Sequence, residues 1–171
     1  MVISRLATPD DAPELVRLRK VMLDEYLGVQ SDTAWMAVSV EVLRAKLVGE
    51  EGQLAATVVE RPDDPGRLAA CAVGTIEYRL GGPENPLGIS GYVFSVATDP
   101  ELRRRGYSRA CMEELIAWFE RRGVRKVDLR ASPEGEPLYA SLGFARTPDP
   151  AMRLALRHTP DRSGAPGTVR S

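Results

Sequence analysis

Apolar residues along this chain follow two periods that alternate from one segment to the next. Runs rich in β-branched and small apolar residues are typical of buried strands, whereas apolar residues three and four positions apart are typical of one buried helix face. The pattern predicts strands at residues 2–6, 54–60, 68–80, 93–97, 126–131 and 152–156. It predicts helices at residues 9–27, 35–47, 107–122 and 137–142. This alternation indicates an α/β (α+β) fold.

Turn and capping residues define the ends of several elements. Thr8 is a suitable N-cap for the first helix, and Gly28 is predicted to end it. A dense turn signal at 61–66 predicts a hairpin between the second and third strands. The strand at 93–97, the helix after it and the strand at 126–131 form a predicted βαβ unit with parallel strands.

Length and charge limit the classes of protein that this chain can represent. All predicted elements fall within residues 1–157, which we interpret as one domain, and residues 158–171 are predicted to be a flexible tail rich in Gly, Pro and Ser. The formal net charge is −1. This charge argues against binding of nucleic acid or an anionic membrane surface, and no apolar run is long enough to cross a bilayer.

Cysteine and histidine usage narrows the chemistry further. Cys71 and Cys111 lie in apolar segments and are interpreted as buried free thiols in a reducing cytoplasm, with a disulfide or a reactive thiol as the alternatives. The single histidine, His158, lies near the end of the chain. A zinc site therefore lacks ligands and a histidine-based triad lacks its base, so no metal is expected.

The most informative stretch is the junction between the strand at 93–97 and the helix that follows it. Arg103, Arg104, Arg105 and Gly106 stand where this helix begins. The first backbone N–H groups of a helix have no partners within it, and the helix dipole adds partial positive charge there. Gly106 has no Cβ, so a ligand can approach its backbone closely. The junction suits a phosphate or diphosphate, and a solvated basic turn is the alternative.

Two motifs carry a resemblance to a known family. Arg103-x-x-Gly106-x-Ser108 resembles the acyl-CoA diphosphate loop of the GNAT family of N-acetyltransferases, and Leu138–Phe144 resembles that family's second signature, LYxxLGF. The order and separation of the two motifs also match. The resemblance implies a mixed central β-sheet of about six to seven strands flanked by about four helices, with acetyl-CoA as the acyl donor. Ser108 departs from the family's usual Gly or Ala, but serine is small enough to fit.

The same resemblance implies a set of residues that bind the acyl donor. Backbone N–H groups of the loop would surround the diphosphate, and arginine side chains would add charge. The N–H of Val96 would polarise the thioester carbonyl as negative charge develops on its oxygen. Ser132 stands where many relatives have an asparagine that binds the pantetheine arm, and a turn at Pro133 is its alternative role. The predicted set is Val96, Arg103, Arg104, Arg105, Gly106, Tyr107, Ser108 and Ser132.

Tyr139 and Glu77 are the predicted catalytic residues. Tyr139 stands at the family's tyrosine position, where a neutral phenol can donate a proton to the departing CoA thiolate; the alternative is a packing role. An alkylamine is mostly protonated at neutral pH, so a carboxylate is the expected base. Glu77 on the third strand is one candidate and Glu25 near the end of the first helix is another. Ser95 stands where some relatives place an acid.

In the GNAT family the first two helices border the acceptor cleft, so Tyr26 and Trp35 are predicted to contact the acceptor. The resemblance thus implies a cytoplasmic enzyme that moves an acetyl group from acetyl-CoA to a primary amine, in a small molecule or a peptide, by direct attack in a ternary complex. A non-catalytic acyl-CoA-binding module of the same fold is the alternative. The chain has neither GxxxxGK[ST] nor GxGxxG, which argues against a P-loop or dinucleotide site. Relatives often dimerise, so a homodimer stays open.

Overall fold

The computed structural model describes residues 2–156; His158 and the tail predicted at 158–171 lie outside the described residues. The strands are β1 (Arg5–Leu6), β2 (Leu54–Glu60), β3 (Leu68–Tyr78), β4 (Ile89–Thr98) and β5 (Val127–Leu129). The helices are α1 (Ala12–Leu27), α2 (Ala34–Lys46), α3 (Tyr107–Arg121) and α4 (Glu136–Ser141). The α/β class and the four helices agree with the prediction. The sheet has five strands in the described region, fewer than the six to seven expected.

One mixed sheet organises the fold, with its strands in the order β1-β2-β3-β4-β5. The first four strands are antiparallel neighbours, and β5 runs parallel to β4. β2 and β3 form the predicted hairpin, closed where the N–H of Arg61 donates to the carbonyl of Arg67 (2.8 Å). The parallel pairing of β4 and β5 across α3 confirms the predicted βαβ unit.

Successive residues of β2 and β3 face opposite sides of the sheet and fill two cores. Ala70 and Ala72 belong to the core beneath α3, whereas Cys71 and Val73 belong to the core beneath α1. The α3 side is the larger core, and its helix residues are Cys111, Met112, Leu115, Trp118 and Phe119. All five are at most 1% exposed. Apolar burial of this extent is the main source of stability, so α3 is firmly attached to the sheet.

Phe119 anchors the far end of α3 between two glycines. A Cβ added to Gly74 or to Gly91 would lie 2.8 Å from the Phe119 ring, closer than carbon atoms can approach. The ring therefore rests directly on the backbone of β3 and β4. Near the other end of the helix, the buried hydroxyl of Thr57 donates to the carbonyl of Cys111 (2.7 Å).

α2 buries less of its apolar surface than its sequence pattern would allow. Val38, Val42 and Leu43 lie at helical spacing, but only Leu43 packs against the core. Val38 is 67% exposed and Val42 is 48% exposed. The reason is that α2 packs chiefly against α1 and not against the sheet. None of the helices within residues 2–156 is long and apolar enough to cross a bilayer.

The strand predicted at residues 152–156 is absent, and this prediction was wrong for the described structure. Met152, Leu154 and Leu156 are each at least 82% exposed. Alternating apolar residues form a strand only where a sheet edge accepts their backbone groups. Within the described residues, β5 pairs with β4 alone, and no strand lies along its other edge.

Candidate active site

β4 and β5 separate in the middle of the sheet, and their separation opens one edge of β4. Their pairing covers only Gly91–Val93 and Val127–Leu129. A register shift against β3 begins immediately afterwards and leaves Phe94 as an extra residue in β4. From Phe94 to Thr98, the edge of β4 that points away from β3 has no strand beside it in the described region.

The backbone of Val96 points to this open edge. The N–H of Asp99 donates to the carbonyl of Ala69 on the β3 side (2.8 Å). Successive backbone N–H groups of a strand point to opposite sides, so the N–H groups of Thr98 and Val96 point away from β3. The side chain of Val96 packs against the core beneath α3. The strand thus holds an unpaired backbone donor at the position predicted for the thioester carbonyl.

The turn between β4 and α3 presents backbone N–H groups at a helix start. Arg104 has φ +63°, the only positive φ of a non-glycine residue within the described region, and Gly106 has φ +82°. Alternating conformations of this kind direct neighbouring N–H groups to one concave surface that binds anions. α3 begins at Tyr107 with no side-chain hydrogen bond at its cap. The first-turn N–H groups are therefore available to an anion.

The three arginines of this turn differ in their contacts. Arg103 donates from Nη2 to Oε1 of Glu25 (2.6 Å) and from Nε to the carbonyl of Thr98 (3.4 Å). Arg105 makes a long contact to the carbonyl of Glu101, and Arg104 forms no ion pair with any residue of the described region. All three side chains are exposed. Of these contacts, the one from Arg103 to Thr98 reaches the end of β4.

Ser108 and Tyr107 connect the turn to the rest of the fold. The Ser108 hydroxyl shares a hydrogen bond with the Thr98 hydroxyl (2.5 Å), which ties the end of β4 to the first turn of α3. Tyr107 is half-buried and packs against the core beneath α3. The sequence gives no signal for Thr98, because its pairing with Ser108 requires the intervening turn to close. Ser108 and Tyr107 contribute their backbone N–H groups to the helix start.

Tyr139 lies on α4 in a partly apolar environment. Its ring packs edge-on against Phe144, with 6.1 Å between ring centroids. Gly135 makes room for it, since a Cβ there would lie 3.0 Å from the Tyr139 ring. Burial raises the pKa of the Tyr139 phenol, so the group is neutral at physiological pH. Tyr139 also lines a cavity of about 420 Å³ along β5 and α4, together with Val127 and Leu129.

Ser132 occupies the start of α4. Its hydroxyl accepts a hydrogen bond from the N–H of Gly135 (3.2 Å), and its carbonyl accepts one from the N–H of Glu136 (3.0 Å). These contacts are those of a turn that caps the helix. The turn contacts that the sequence offered as an alternative for Ser132 are therefore present, its side chain is exposed, and its contact with the pantetheine arm stays a prediction.

Residues predicted to contact the acceptor lie at the junction of α1 and α2. Tyr26 is 82% exposed at the end of α1, and Trp35 at the start of α2 donates from its indole N–H to the carbonyl of Asp32 (2.7 Å). The sequence gives no signal for Asp24, which holds the connecting loop. Its carboxylate accepts hydrogen bonds from the N–H and the hydroxyl of Ser31. Lys20 and Ser31 together lower the pKa of Asp24.

The two candidate bases occupy different parts of the molecule. Along β3, Glu77 is five residues, or about 16 Å, from Ala72, the residue that pairs with Val96. Glu77 forms an ion pair with Arg79 (2.7 Å). The structure therefore does not bring Glu77 together with the open edge of β4. Glu25, in contrast, lies beside the turn through its ion pair with Arg103.

Neither cysteine has the environment of a nucleophile. Cys71 and Cys111 are both fully buried free thiols. Burial raises the pKa of Cys71 to about 12 and also raises the pKa of Cys111. A thiol that stays protonated is a weak nucleophile. The geometry thus gives no support to a covalent acetyl-cysteine at Cys111.

Two curated relatives match part of the chain. The [ribosomal protein bS18]-alanine N-acetyltransferase of Escherichia coli strain K12 is 44% identical over 55 residues, which cover 30% of this chain and 37% of that protein. The chloroplastic serotonin N-acetyltransferase 2 of Oryza sativa subsp. japonica is 36% identical over 63 residues, covering 37% of this chain and 32% of that protein. The matches thus span about a third of each relative's length.

Solved structures and a family profile extend the comparison over most of the chain. A GCN5-related N-acetyltransferase from Ralstonia eutropha JMP134 has a TM-score of 0.71 and 26% identity, covering 90% of this chain and 99% of that chain. A predicted acetyltransferase from Clostridium acetobutylicum, solved with acetyl-CoA, has a TM-score of 0.76 and 24% identity, covering 91% and 96%. The profile described as Acetyltransferase (GNAT) family matches residues 19–144. The chain therefore belongs to the GNAT family of acetyltransferases.

Proposed function

We propose that this protein transfers an acetyl group from acetyl-CoA to a primary amine by direct attack in a ternary complex. The observation that carries the proposal is the open edge of β4, which ends at a turn with left-handed Arg104 and Gly106 and an uncapped start of α3. An extended arm can pair with the edge while a diphosphate occupies the turn. Coenzyme A contains both parts in this order.

Under this proposal, backbone N–H groups bind the acyl donor and Tyr139 donates a proton. Acetyl-CoA, when bound, supplies an activated acyl group. The N–H groups from Arg104 to Ser108 hold its diphosphate, and the Val96 N–H donates a hydrogen bond to the carbonyl oxygen where negative charge develops. Tyr139 donates its phenolic proton to the departing sulfur, because burial keeps that proton in place at neutral pH.

Direct attack by the amine is favoured over an acetylated enzyme. Cys111 is buried and its pKa is raised, and the Ser108 hydroxyl pairs with the Thr98 hydroxyl rather than with a base. The acceptor's ammonium group first loses one proton to water. The neutral amine nitrogen then forms the new bond to carbon, the carbon–sulfur bond breaks as the sulfur takes the Tyr139 proton, and the nitrogen loses a second proton, which through water restores the phenol. Glu25 lies beside the turn and is half exposed, so we assign it the attraction of the acceptor's ammonium group.

Thiol release from acetyl-CoA across a panel of acceptors tests this function. The panel contains polyamines, amino acids, aminoglycosides, serotonin and a peptide that begins with alanine, the last two because the curated relatives are named for such acceptors. Amine-dependent release of thiol, with the acetylated product identified by mass spectrometry, supports the transferase. Tight binding of acetyl-CoA without turnover of any acceptor supports the non-catalytic acyl-CoA-binding alternative.

A further inference from the structure

Asp99 is the last residue before the diphosphate-binding turn, and its carboxylate is buried. The residue is 5% exposed and directly follows β4. Its N–H donates to Ala69 on β3, and its carbonyl accepts from the N–H of Leu102 inside the turn (2.9 Å). The position of Asp99 therefore sets the point at which the chain leaves the sheet and enters the turn.

Arg17 on α1 holds this carboxylate with both ends of its guanidinium group. Nη1 donates to Oδ1 of Asp99 (2.7 Å) and Nη2 donates to Oδ2 (3.1 Å). Nη2 also donates to the carbonyl of Leu68 (2.8 Å), and Nε donates to Oε1 of Glu14 (2.8 Å). One guanidinium group thereby joins α1, the start of β3 and the end of β4. A planar fork of this kind fixes orientation as well as distance.

Arg61 also binds the Asp99 carboxylate. Its Nη1 donates to Oδ2 of Asp99 (3.0 Å), and its Nη2 forms an ion pair with Glu101 within the turn (2.6 Å). The Arg61 side chain is 11% exposed. Two arginines thus share one buried carboxylate, and one of them also holds the next acidic residue of the turn. Loss of either arginine would leave buried negative charge less compensated.

We infer that Arg17 is a positioning residue for acetyl-CoA, acting through Asp99 on the turn that holds the diphosphate. This inference rests on the proposed function. Arg17 lies outside the two motifs and is separated from Asp99 by 82 positions in the sequence. The pairing fixes where the N–H groups of Arg104 to Ser108 point. A shift of about 1 Å in such donors is enough to weaken binding strongly.

The test compares Arg17→Lys with a matched control, Arg5→Lys. Arg5 also binds a carboxylate in bidentate fashion, donating to Asp11 at 2.8 and 3.0 Å, and it reaches Glu60 at 2.9 Å. Its contacts involve β1, β2 and the turn before α1, and none involves the diphosphate-binding turn. Both variants keep the positive charge and lose the fork, so each removes a similar structural link.

Calorimetric titration with coenzyme A and steady-state kinetics provide the readouts. We expect Arg17→Lys to raise the Kd for coenzyme A and the KM for acetyl-CoA about tenfold, with kcat at saturating donor unchanged. Both variants should lower the unfolding temperature by similar amounts. Arg5→Lys should leave the Kd for coenzyme A and the KM for acetyl-CoA unchanged. Equal affinity in Arg17→Lys and the unaltered chain would overturn the inference, as would equal weakening in Arg5→Lys.

A second variant covers the case in which Arg17→Lys does not fold, as judged by circular dichroism. Arg61 contacts the same carboxylate, so Arg61→Lys should raise the Kd for coenzyme A about threefold. Unchanged affinity in Arg61→Lys would contradict the inference. The unaltered chain separates the two proposals. If it binds no coenzyme A, the proposed function and the inference both fail, whereas binding that Arg17→Lys leaves intact overturns only the inference.

Discussion

The turn proposed to bind the diphosphate and the α1–α2 region proposed to contact the acceptor are built from different amounts of buried structure. The turn lies between a central strand and α3, whose five inward residues are at most 1% exposed. On the acceptor side, α2 contains no buried residue, and Tyr26, Val38 and Val42 are exposed. Under the proposed function, this contrast suits an enzyme that always uses the same acyl donor. The donor would bind the well-packed turn, and the loosely packed α1–α2 region would adapt to the acceptor.

The largest effect that would sharpen this comparison is expected at Tyr139. Tyr139→Phe removes the proton donor and keeps the ring that packs against Phe144. We expect kcat to fall by about 10² to 10⁴ while the affinity for coenzyme A is unchanged. Steady-state kinetics and calorimetric titration measure the two quantities. Unchanged kcat would show that Tyr139 only packs.

The pH dependence of the unaltered enzyme gives a control for this role. Burial raises the pKa of Tyr139 above its ordinary value near 10, so the phenol keeps its proton across neutral and mildly alkaline pH. The rate should therefore rise with pH as the acceptor amine loses its proton, with no decline below pH of about 10. A decline near pH 8 would assign the acid to another group.

A matched pair of glycine substitutions tests whether the two sides act independently. Gly106 (φ +82°) lies in the turn and Gly28 (φ +67°) ends α1, and an added Cβ would meet nothing within 4 Å at either position. Each change to alanine costs about 1 kcal/mol of backbone strain. We expect Gly106→Ala to raise the Kd for coenzyme A about tenfold, because it moves the N–H groups of the turn. Gly28→Ala should change only the KM of the acceptor.

If Gly28→Ala lowered the affinity for coenzyme A as much as Gly106→Ala did, the result would show that strain at either position affects the whole site. The contrast between a fixed side and an adaptable side would then be wrong. Thermal unfolding of both variants checks that they lose similar stability.

The ion pair between Glu25 and Arg103 is the exposed contact between the two sides. Glu25→Gln removes the carboxylate that pairs with Arg103 and that, under the proposed function, competes with the diphosphate for this side chain. Exposed pairs contribute about 0.2–1 kcal/mol, so we expect the affinity for coenzyme A to rise by a factor between about 1.4 and 5. The KM of a cationic acceptor should rise as well. Glu41→Gln, which breaks the exposed pair with Arg44 on α2, is the control and should change neither constant.

The smallest effect is expected at Glu77, the base predicted from the sequence. Strand register separates it from the backbone partner of Val96 by about 16 Å. Glu77→Gln should therefore leave kcat and both KM values unchanged in steady-state assays. A large fall in kcat with a shifted pH profile would contradict this prediction. It would indicate that Glu77 is the base and that the reaction takes place nearer to Glu77 on β3.

Features that depend on neighbouring residues were predictable from the sequence. The strand, turn and helix around Gly106 follow from local periodicity and from the conformational freedom of glycine, and the parallel β4–β5 pairing follows from the handedness of βαβ units. The left-handed Arg104 was not predictable, because arginine has no preference for that conformation. The fold class and the turn between β4 and α3 could therefore be predicted from the sequence.

Features that depend on distant residues were not predictable. Arg17 meets Asp99 across 82 positions, and Glu25 meets Arg103 across 78, so neither pairing has a local signal. The pattern of α2 gave an apolar stripe but not the neighbour against which it packs. The alternation at 152–156 likewise gave a strand-like pattern without a sheet edge to receive it. Tertiary partners, which a single sequence does not reveal, decided each case.

Phe119 seated on Gly74 and Gly91 has a consequence for the other end of α3. Because α3 is fixed to the sheet at Phe119, its first turn keeps its position when side chains there are changed. Because the clamp is more than three helical turns from Gly106, residues of the turn can be exchanged without releasing the helix from the sheet. Donor preference can therefore be altered by engineering at the tip, while changes at the two glycines would displace every ligand-facing group together.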